Sequence, residues 1–260
     1  MAELSDYLLI IGLPSMVALP FFFLDSQLDK DRLFSNYSNS MPNGAQANTG
    51  SSSSEPITEE KPKGPCPDNY LNRKTPLKEL ISTYQTEHPE AEMEKAIHVK
   101  KQCRLVTIML DDVPIKQYDA ALGSNPDFDK SHEGDRATPV GTFYVADKDL
   151  ESKGQTAWYK ALHISYPNKE DAARGLRNGL IKQWEANAIN KAIDNCQMPP
   201  QNTQLGSLLK MHGKGGYISS RDWTWGCVGL DNSVMDEVYA FADKGCRKDG
   251  TFKTKLVIEY

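Results

Sequence analysis

From residue 104 apolar positions recur with a period near two, through Leu105-Val106-Thr107-Ile108-Met109-Leu110. The pattern resumes after the acidic pair Asp111-Asp112 in Val113 to Tyr118. That period, carried across a short polar break, predicts a β-hairpin turning at the two aspartates. Residues 141–146 and 161–165 read as further strands, residues 207–211 form an apolar run leading into His212, and residues 255–259 predict a last strand. Helical spacings of three and four appear in three places. Residues 76–96 carry Leu77, Leu80, Ile81 and Tyr84; residues 172–195 carry Leu180, Ile181, Trp184, Ala188 and Ile189; residues 233–244 carry Val234, Val238 and Phe241 behind the cap candidates Asn232 and Ser233. The second segment reads either as a lid over a cleft or as a structural insert. Many strands and few helices predict a mainly β catalytic-size domain, a sandwich or barrel-like sheet, over residues 100–260, with a helical lead-in over 66–99.

The N-terminal third differs. Residues 7–24, YLLIIGLPSMVALPFFFL, contain no charge. Eighteen apolar residues are just long enough to span a bilayer, although Pro14 and Pro20 weaken them as a helix. The segment predicts an uncleaved membrane anchor. A cleavable signal is the alternative, but the leader has Glu3 and Asp6 instead of basic residues, and it ends in FFFLD without a small-x-small site. Lys30 and Arg32 follow the run and no basic residue precedes it, which by the positive-inside rule would leave the bulk of the chain in the cytoplasm. Residues 25–65 are rich in Ser, Asn, Pro and Gly and predict a flexible linker.

Composition narrows the classes. Among 260 residues, 39% are hydrophobic and 25% charged, which excludes a polytopic membrane protein and a wholly disordered chain. Thirty basic against 35 acidic residues give a net charge of −5, and no strongly basic stretch is present to displace counterions, so a nucleic-acid partner is not expected. The cysteines are Cys66, Cys103, Cys196, Cys227 and Cys246, with no CxxC pair to support a structural zinc site.

The candidate chemistry centres on Asp222-Trp-Thr-Trp-Gly-Cys227-Val-Gly. A thiol nucleophile requires a base or cation nearby, and a glycine beside it lets backbone amides approach a substrate carbonyl. Met211-His212-Gly213 lies fifteen residues upstream of Cys227. By spacing alone this pair equally suits a buried apolar cysteine and a core histidine.

The stretch from His212 to Asn232 resembles the catalytic motif of the L,D-transpeptidase family, the YkuD-type domain: His212-Gly213 followed by Thr224, Gly226, Cys227 and Val228. Thr138-Pro139-Val-Gly141-Thr-Phe143 is similar to the family's Thr-Pro-x-Gly-x-Phe strand, and Leu162 to Asn168 with Asp222-Trp223-Thr224 is similar to its YafK-like murein-hydrolase branch. The resemblance implies a cysteine acyl-transfer enzyme on diaminopimelate-containing peptidoglycan stem peptides. In it Cys227 is the nucleophile, His212 the base, the Gly213 carbonyl orients the imidazole, and the amides of Gly226 and Cys227 form the oxyanion hole. No metal or organic cofactor is required, since a thiol–imidazole pair supplies nucleophile, acid and base. Two positions depart from many transpeptidases: Trp225 stands where they have His before Gly-Cys, and Gly229 where they have Arg. Transpeptidation and amidase-type hydrolysis therefore compete, and a non-catalytic peptidoglycan-binding module is the third reading. A catalytic Cys227 is expected to have a thiol pKa below that of a free cysteine.

Arg136, His163, Tyr166 and Asn168 are candidates to bind substrate polar groups, with Trp223, Thr224 and Trp225 as walls of the cleft. With Cys227 as nucleophile, the other four cysteines allow two disulfides in three connectivities, which suits an oxidising periplasm. The expected setting is the periplasmic face, anchored or exported, with stem peptides and possible wall-linked lipoprotein as partners; a secreted toxin or a cytoplasmic protein is the rival that the leader charges raise.

Overall fold

The Asp111-Asp112 turn forms as expected: both residues take left-handed backbone (φ +47 and +62), the two-residue hairpin geometry that matches strand twist. It joins β2 (Leu105–Leu110) to β3 (Val113–Asp119). The computed structural model describes residues 66–150, 159–213 and 222–260. The expected anchor at 7–24 and linker at 25–65 lie outside the described residues. Among the described residues no helix is long and apolar enough to cross a membrane.

The fold is mainly β. Six further strands, β1 (Lys95–Lys100), β4 (Gly141–Leu150), β5 (Lys160–Ile164), β6 (Lys210–Gly213), β7 (Val228–Leu230) and β8 (Thr254–Glu259), complete one eight-stranded sheet in the order β3-β2-β1-β8-β4-β5-β6-β7. β4 serves both halves. Gly141–Tyr144 pairs with β8, and beyond an irregularity between Val145 and Asp147 the strand pairs with β5. The sheet then closes on itself. Ala121, two residues past β3, exchanges both backbone hydrogen bonds with Gly229 of β7, at 3.0 and 2.8 Å. The outer strands on both sides thus meet, and the result is a nearly closed barrel.

Among the described residues there are four α-helices. α1 (Leu77–Glu87) and α4 (Asn232–Phe241) bury Leu77, Tyr84, Met235, Val238 and Phe241. The long helix expected over 172–195 is two helices, α2 (Lys169–Arg177) and α3 (Gln183–Asp194). They are separated by a turn in which Gly179 takes φ +69, a conformation that ends a helix. The helical lead-in is also corrected. Helix stops at Glu87, and Lys95–Lys100 is a strand between β2 and β8, parallel to the latter. Its six residues, with Lys at both ends, carry too short a period to separate from the preceding helical one. α4 begins at Asn232 with Asp231 as the residue before it, one turn-position earlier than the sequence pattern suggests.

Two disulfides form, Cys66–Cys103 and Cys196–Cys246, leaving Cys227 as the thiol. Two buried lysines organise the loops. Lys101, 1% exposed, donates to the Phe128 and Thr138 carbonyls, each at 2.6 Å. Lys116 donates to Glu237 at 2.8 Å, and Glu237 also accepts from the Tyr118 hydroxyl and, at 2.9 Å, from the Leu77 N–H that starts α1. One carboxylate thereby ties α1, β3 and α4 together.

Glu237→Ala leaves three donors without their acceptor, and is expected to cost about 2–4 kcal/mol in urea unfolding at neutral pH. Burial opposes ionisation of Glu237, but the bonds from Lys116, Tyr118 and Leu77 outweigh it and hold its pKa below the ordinary value. A depressed folded-state pKa gives stability that is full above the unfolded value of about 4.3 and drains as pH falls through the folded one. The stability gap between wild type and variant should therefore narrow on acidification below about pH 4; a gap independent of pH would contradict the ionised network.

Candidate active site

β6 and β7 run parallel, with Met211 opposite Val228 and His212 opposite Gly229. Continuing that register sets Cys227 beside Lys210. Residues two apart on a strand share a face, so Cys227 and His212 face the same side. Both line a cleft of about 390 Å³ whose other walls include Leu208, Leu209, Trp223 and Trp225. Cys227 is 8% exposed and His212 1%. The edge of Trp223 meets the His212 ring at 76°, with centroids 5.8 Å apart. Two sequence candidates fifteen residues apart are thus brought to one cleft wall by strand pairing.

The turn before Cys227 is set by Gly226 and Thr224. Gly226 has φ +121, and a Cβ there would lie 2.7 Å from the Ala137 carbonyl oxygen, so only glycine fits. The buried Thr224 hydroxyl accepts the Gly226 N–H at 3.1 Å and donates to the Cys227 carbonyl at 2.7 Å. Thr224 lines the cleft but its polar atom is committed to this turn, and so is the Gly226 N–H assigned above to an oxyanion hole. Gly213 is required by packing: a Cβ would stand 2.7 Å from Asn232 Oδ1 at the start of α4. Its carbonyl accepts the Tyr159 N–H at 2.9 Å. At Gly229 a Cβ would meet Trp223 Cζ2 at 3.2 Å, so the indole fills the space that a side chain at 229 would need.

The thiol's environment is mixed. Burial pushes the Cys227 pKa above that of a free thiol, and a bond from the Lys210 N–H together with the charges of Lys210 and Lys130 offsets this only in part. The thiol instead lies 3.7 Å from the Leu208 carbonyl, toward which it donates. Desolvation of the thiolate thus acts against the depressed thiol pKa expected of a catalytic Cys227.

Four other candidates divide. Arg136, with φ +58, lays its guanidinium over the Trp225 ring at 4.6 Å, at the edge of the cleft; Trp225 is 69% exposed. His163 does not line the cleft. Its Nε2 meets Asp149 Oδ2 at 2.6 Å, and the same oxygen accepts from Lys210 at 2.7 Å. Burial opposes ionisation of Asp149, yet those two partners hold its pKa down. Tyr166 and Asn168 are corrected as substrate groups. Tyr166 is 1% exposed and its hydroxyl donates to the Leu205 carbonyl at 2.8 Å. Asn168 caps α2, its side chain accepting from the Asp171 N–H at 2.9 Å while Asp171 accepts from the Asn168 N–H at 3.0 Å. That reciprocal box was readable from Asn-x-x-Asp spacing. No residue of α2 or α3 is among those lining the cleft, whereas Ala172, Ala186 and Ile189 are buried, which favours the structural insert over the lid.

Sequence reasoning missed Lys210 and Leu208. Lys210 could have been found, because a residue two before His212 on a strand shares its face. Leu208 acts through its carbonyl and left-handed backbone (φ +56), which its side chain does not advertise.

Residues 94–256 match the YkuD family, described as the L,D-transpeptidase catalytic domain. No curated protein matches the sequence. Similar solved structures include Bd1075 of Bdellovibrio bacteriovorus, at 18% identity and a TM-score of 0.41, covering 65% of this chain and 50% of that one. The helical cell shape determining protein Pgp2 of Campylobacter jejuni has 18% identity and a TM-score of 0.40, with 68% and 54% covered. An L,D-transpeptidase of Xylanimonas cellulosilytica has 12% identity and a TM-score of 0.38, with 69% of each chain covered. The chain spans about half the length of the first two.

Thr224→Val removes both bonds that set the turn, with an expected loss of about 1–3 kcal/mol in thermal or urea unfolding; unchanged stability would mean that the turn is held by other contacts. For Cys227, the iodoacetamide alkylation rate should keep climbing through and beyond about pH 8.5, the ordinary thiol value. A plateau reached near neutral pH would instead reveal a resting thiolate–imidazolium pair.

Proposed function

The chain belongs to the YkuD family of L,D-transpeptidase catalytic domains, and we propose that it is a cysteine acyl-transfer enzyme acting on diaminopimelate-containing peptidoglycan stem peptides. The observation that carries this reading is the β6–β7 register, which sets Cys227 and His212 on one face of a shared cleft. Because burial raises the thiol pKa, the proton leaves as attack occurs. His212 takes the Cys227 proton while sulfur bonds to the carbonyl carbon of a diaminopimelate amide. The tetrahedral intermediate collapses, the C–N bond breaks, and the imidazolium returns the proton to the departing amine, leaving a thioester. An incoming amine then attacks the thioester, its proton passes to His212, and the thiol is restored. The Cys227 N–H is the amide available to the oxyanion, the Gly226 N–H being held by Thr224. Trp223 packs against the imidazole in an edge-to-face arrangement.

The cysteines also bear on the proposed setting. Two disulfides support an oxidising compartment, the outer side of the inner membrane, against the cytoplasmic orientation that Lys30 and Arg32 suggested. Anchoring through residues 7–24, and a wall-linked lipoprotein as one source of substrate amide, belong to the same proposal.

The test incubates the full chain and its Cys227→Ala variant with diaminopimelate-containing muropeptides, with and without an added D-amino acid, and reads products by mass spectrometry. Cross-linked or exchanged products that require Cys227 are expected. Shortened or released products alone would make the acceptor water and the protein a hydrolase. Binding without any Cys227-dependent product would leave a peptidoglycan-binding module.

A further inference from the structure

Among the described residues, three cations around the cleft are paired with carboxylates and Arg136 is not. Lys210 pairs with Asp149 at 2.7 Å, Lys130 with Asp135 at 2.8 Å and Arg104 with Asp222 at 2.8 Å. Arg136 has no carboxylate partner among the described residues; its contact is the exposed face of Trp225, 4.6 Å from the guanidinium carbon. An aromatic face under a guanidinium fixes its plane and removes part of its water, while the N–H edges stay open to a planar anion.

The backbone beneath this cation is held from several sides. The Arg136 carbonyl accepts the Asn125 N–H at 3.1 Å, and Gly123 approaches it so closely that a Cβ would lie 2.1 Å away. On one side of Arg136, Asp135 accepts the backbone N–H groups of Ser131, His132 and Ala137 and the ammonium of Lys130. On the other, the Thr138 carbonyl is bound by buried Lys101, and the Thr138 hydroxyl accepts the Gly123 N–H at 2.9 Å. Barrel closure brings the same Gly123 against Thr224, three residues before Cys227. The backbone that carries the guanidinium is therefore tied to the segment that carries the thiol through the frame of the sheet.

Among the described residues, the cleft lining contains no such group. Apart from His212, its lining is Ser207, Leu208, Leu209, two tryptophans, Thr224 and Cys227, none of which carries a fixed positive charge. Among the described residues, the cation free of a carboxylate that a substrate entering beside the reacting amide would meet is at the mouth, on the Trp225 side. We propose that Arg136, stacked on Trp225, binds a carboxylate of the acyl-donor stem peptide and so selects substrates in which that group is ionised. This rests on the acyl-transfer reading and deepens it. Two carboxylates share the required chemistry, the free one on diaminopimelate and the peptide C-terminus.

The test measures calorimetric Kd values of the full chain carrying Cys227→Ala for three synthetic stem peptides: unmodified, amidated at the diaminopimelate carboxylate, and amidated at the C-terminus. Adding Arg136→Gln should weaken the unmodified peptide about tenfold or more, the scale of a charge-assisted pair. It should leave unchanged the Kd of whichever amidated peptide lacks the recognised group, and that peptide identifies the carboxylate. Arg136→Lys should recover part of the affinity, and Trp225→Ala should lose part of it by releasing the guanidinium. Equal effects of Arg136→Gln on all three peptides, or none on any, would overturn the proposal while leaving the enzyme reading intact. Failure of all three to bind the protein with Arg136 in place would overturn both.

Discussion

The hydrogen bonds between Ala121 and Gly229 close the sheet, and the site depends on that closure. They give the exposed backbone groups at the two outer edges partners within the fold, where otherwise they would face solvent or another chain. They also force the chain leaving β3 against the segment carrying Cys227. Such close approach is possible because glycine occupies 123, 226 and 229, where a side chain would strike the Arg136 carbonyl, the Ala137 carbonyl and the Trp223 ring respectively. The segment carrying Cys227 is consequently positioned by backbone packing, with Thr224 locking the last turn.

Around this seam the interior polar groups act as cross-braces. Lys101 pins the loops at Phe128 and Thr138, and Glu237 gathers donors from α1 and β3 onto α4. Each is a buried or half-buried charge whose desolvation is offset by multiple directed bonds, so removing one partner costs more than the pair contributes. Their common effect is to hold loops at fixed positions on the barrel, a requirement for a site whose groups come from β6, β7 and the loop before β4.

The thiol sits in the least favourable place for a charge. Burial protects the neutral form, and the nearby Lys210 is already engaged by Asp149, which His163 also contacts. A neutral thiol beside a histidine needs no standing ion pair, and the low-dielectric wall stabilises that uncharged state.

The alternation at 105–118 and the spacing of α1 and α4 were legible because each depends on local side-chain period, and the His212 and Cys227 motifs were legible because their chemistry is carried by residue type. The Asn168 box was equally local, although it pointed to a cap and not to a substrate. What the sequence by itself determined is therefore the mainly β character and the even number of cysteines besides Cys227, while His212 and Cys227 stood out through their resemblance to a family motif. Tertiary structure alone decided that Lys95–Lys100 lies in the sheet between β2 and β8, that 172–195 breaks at Gly179, and that Cys66 pairs with Cys103 and Cys196 with Cys246. It also decided which candidates share the cleft: Tyr166 turns inward to Leu205 and His163 to Asp149, while Arg136 reaches Trp225 across 89 positions. The reason is that strand pairing and barrel closure are non-local: they depend on which distant backbone edges meet, and no local period encodes that.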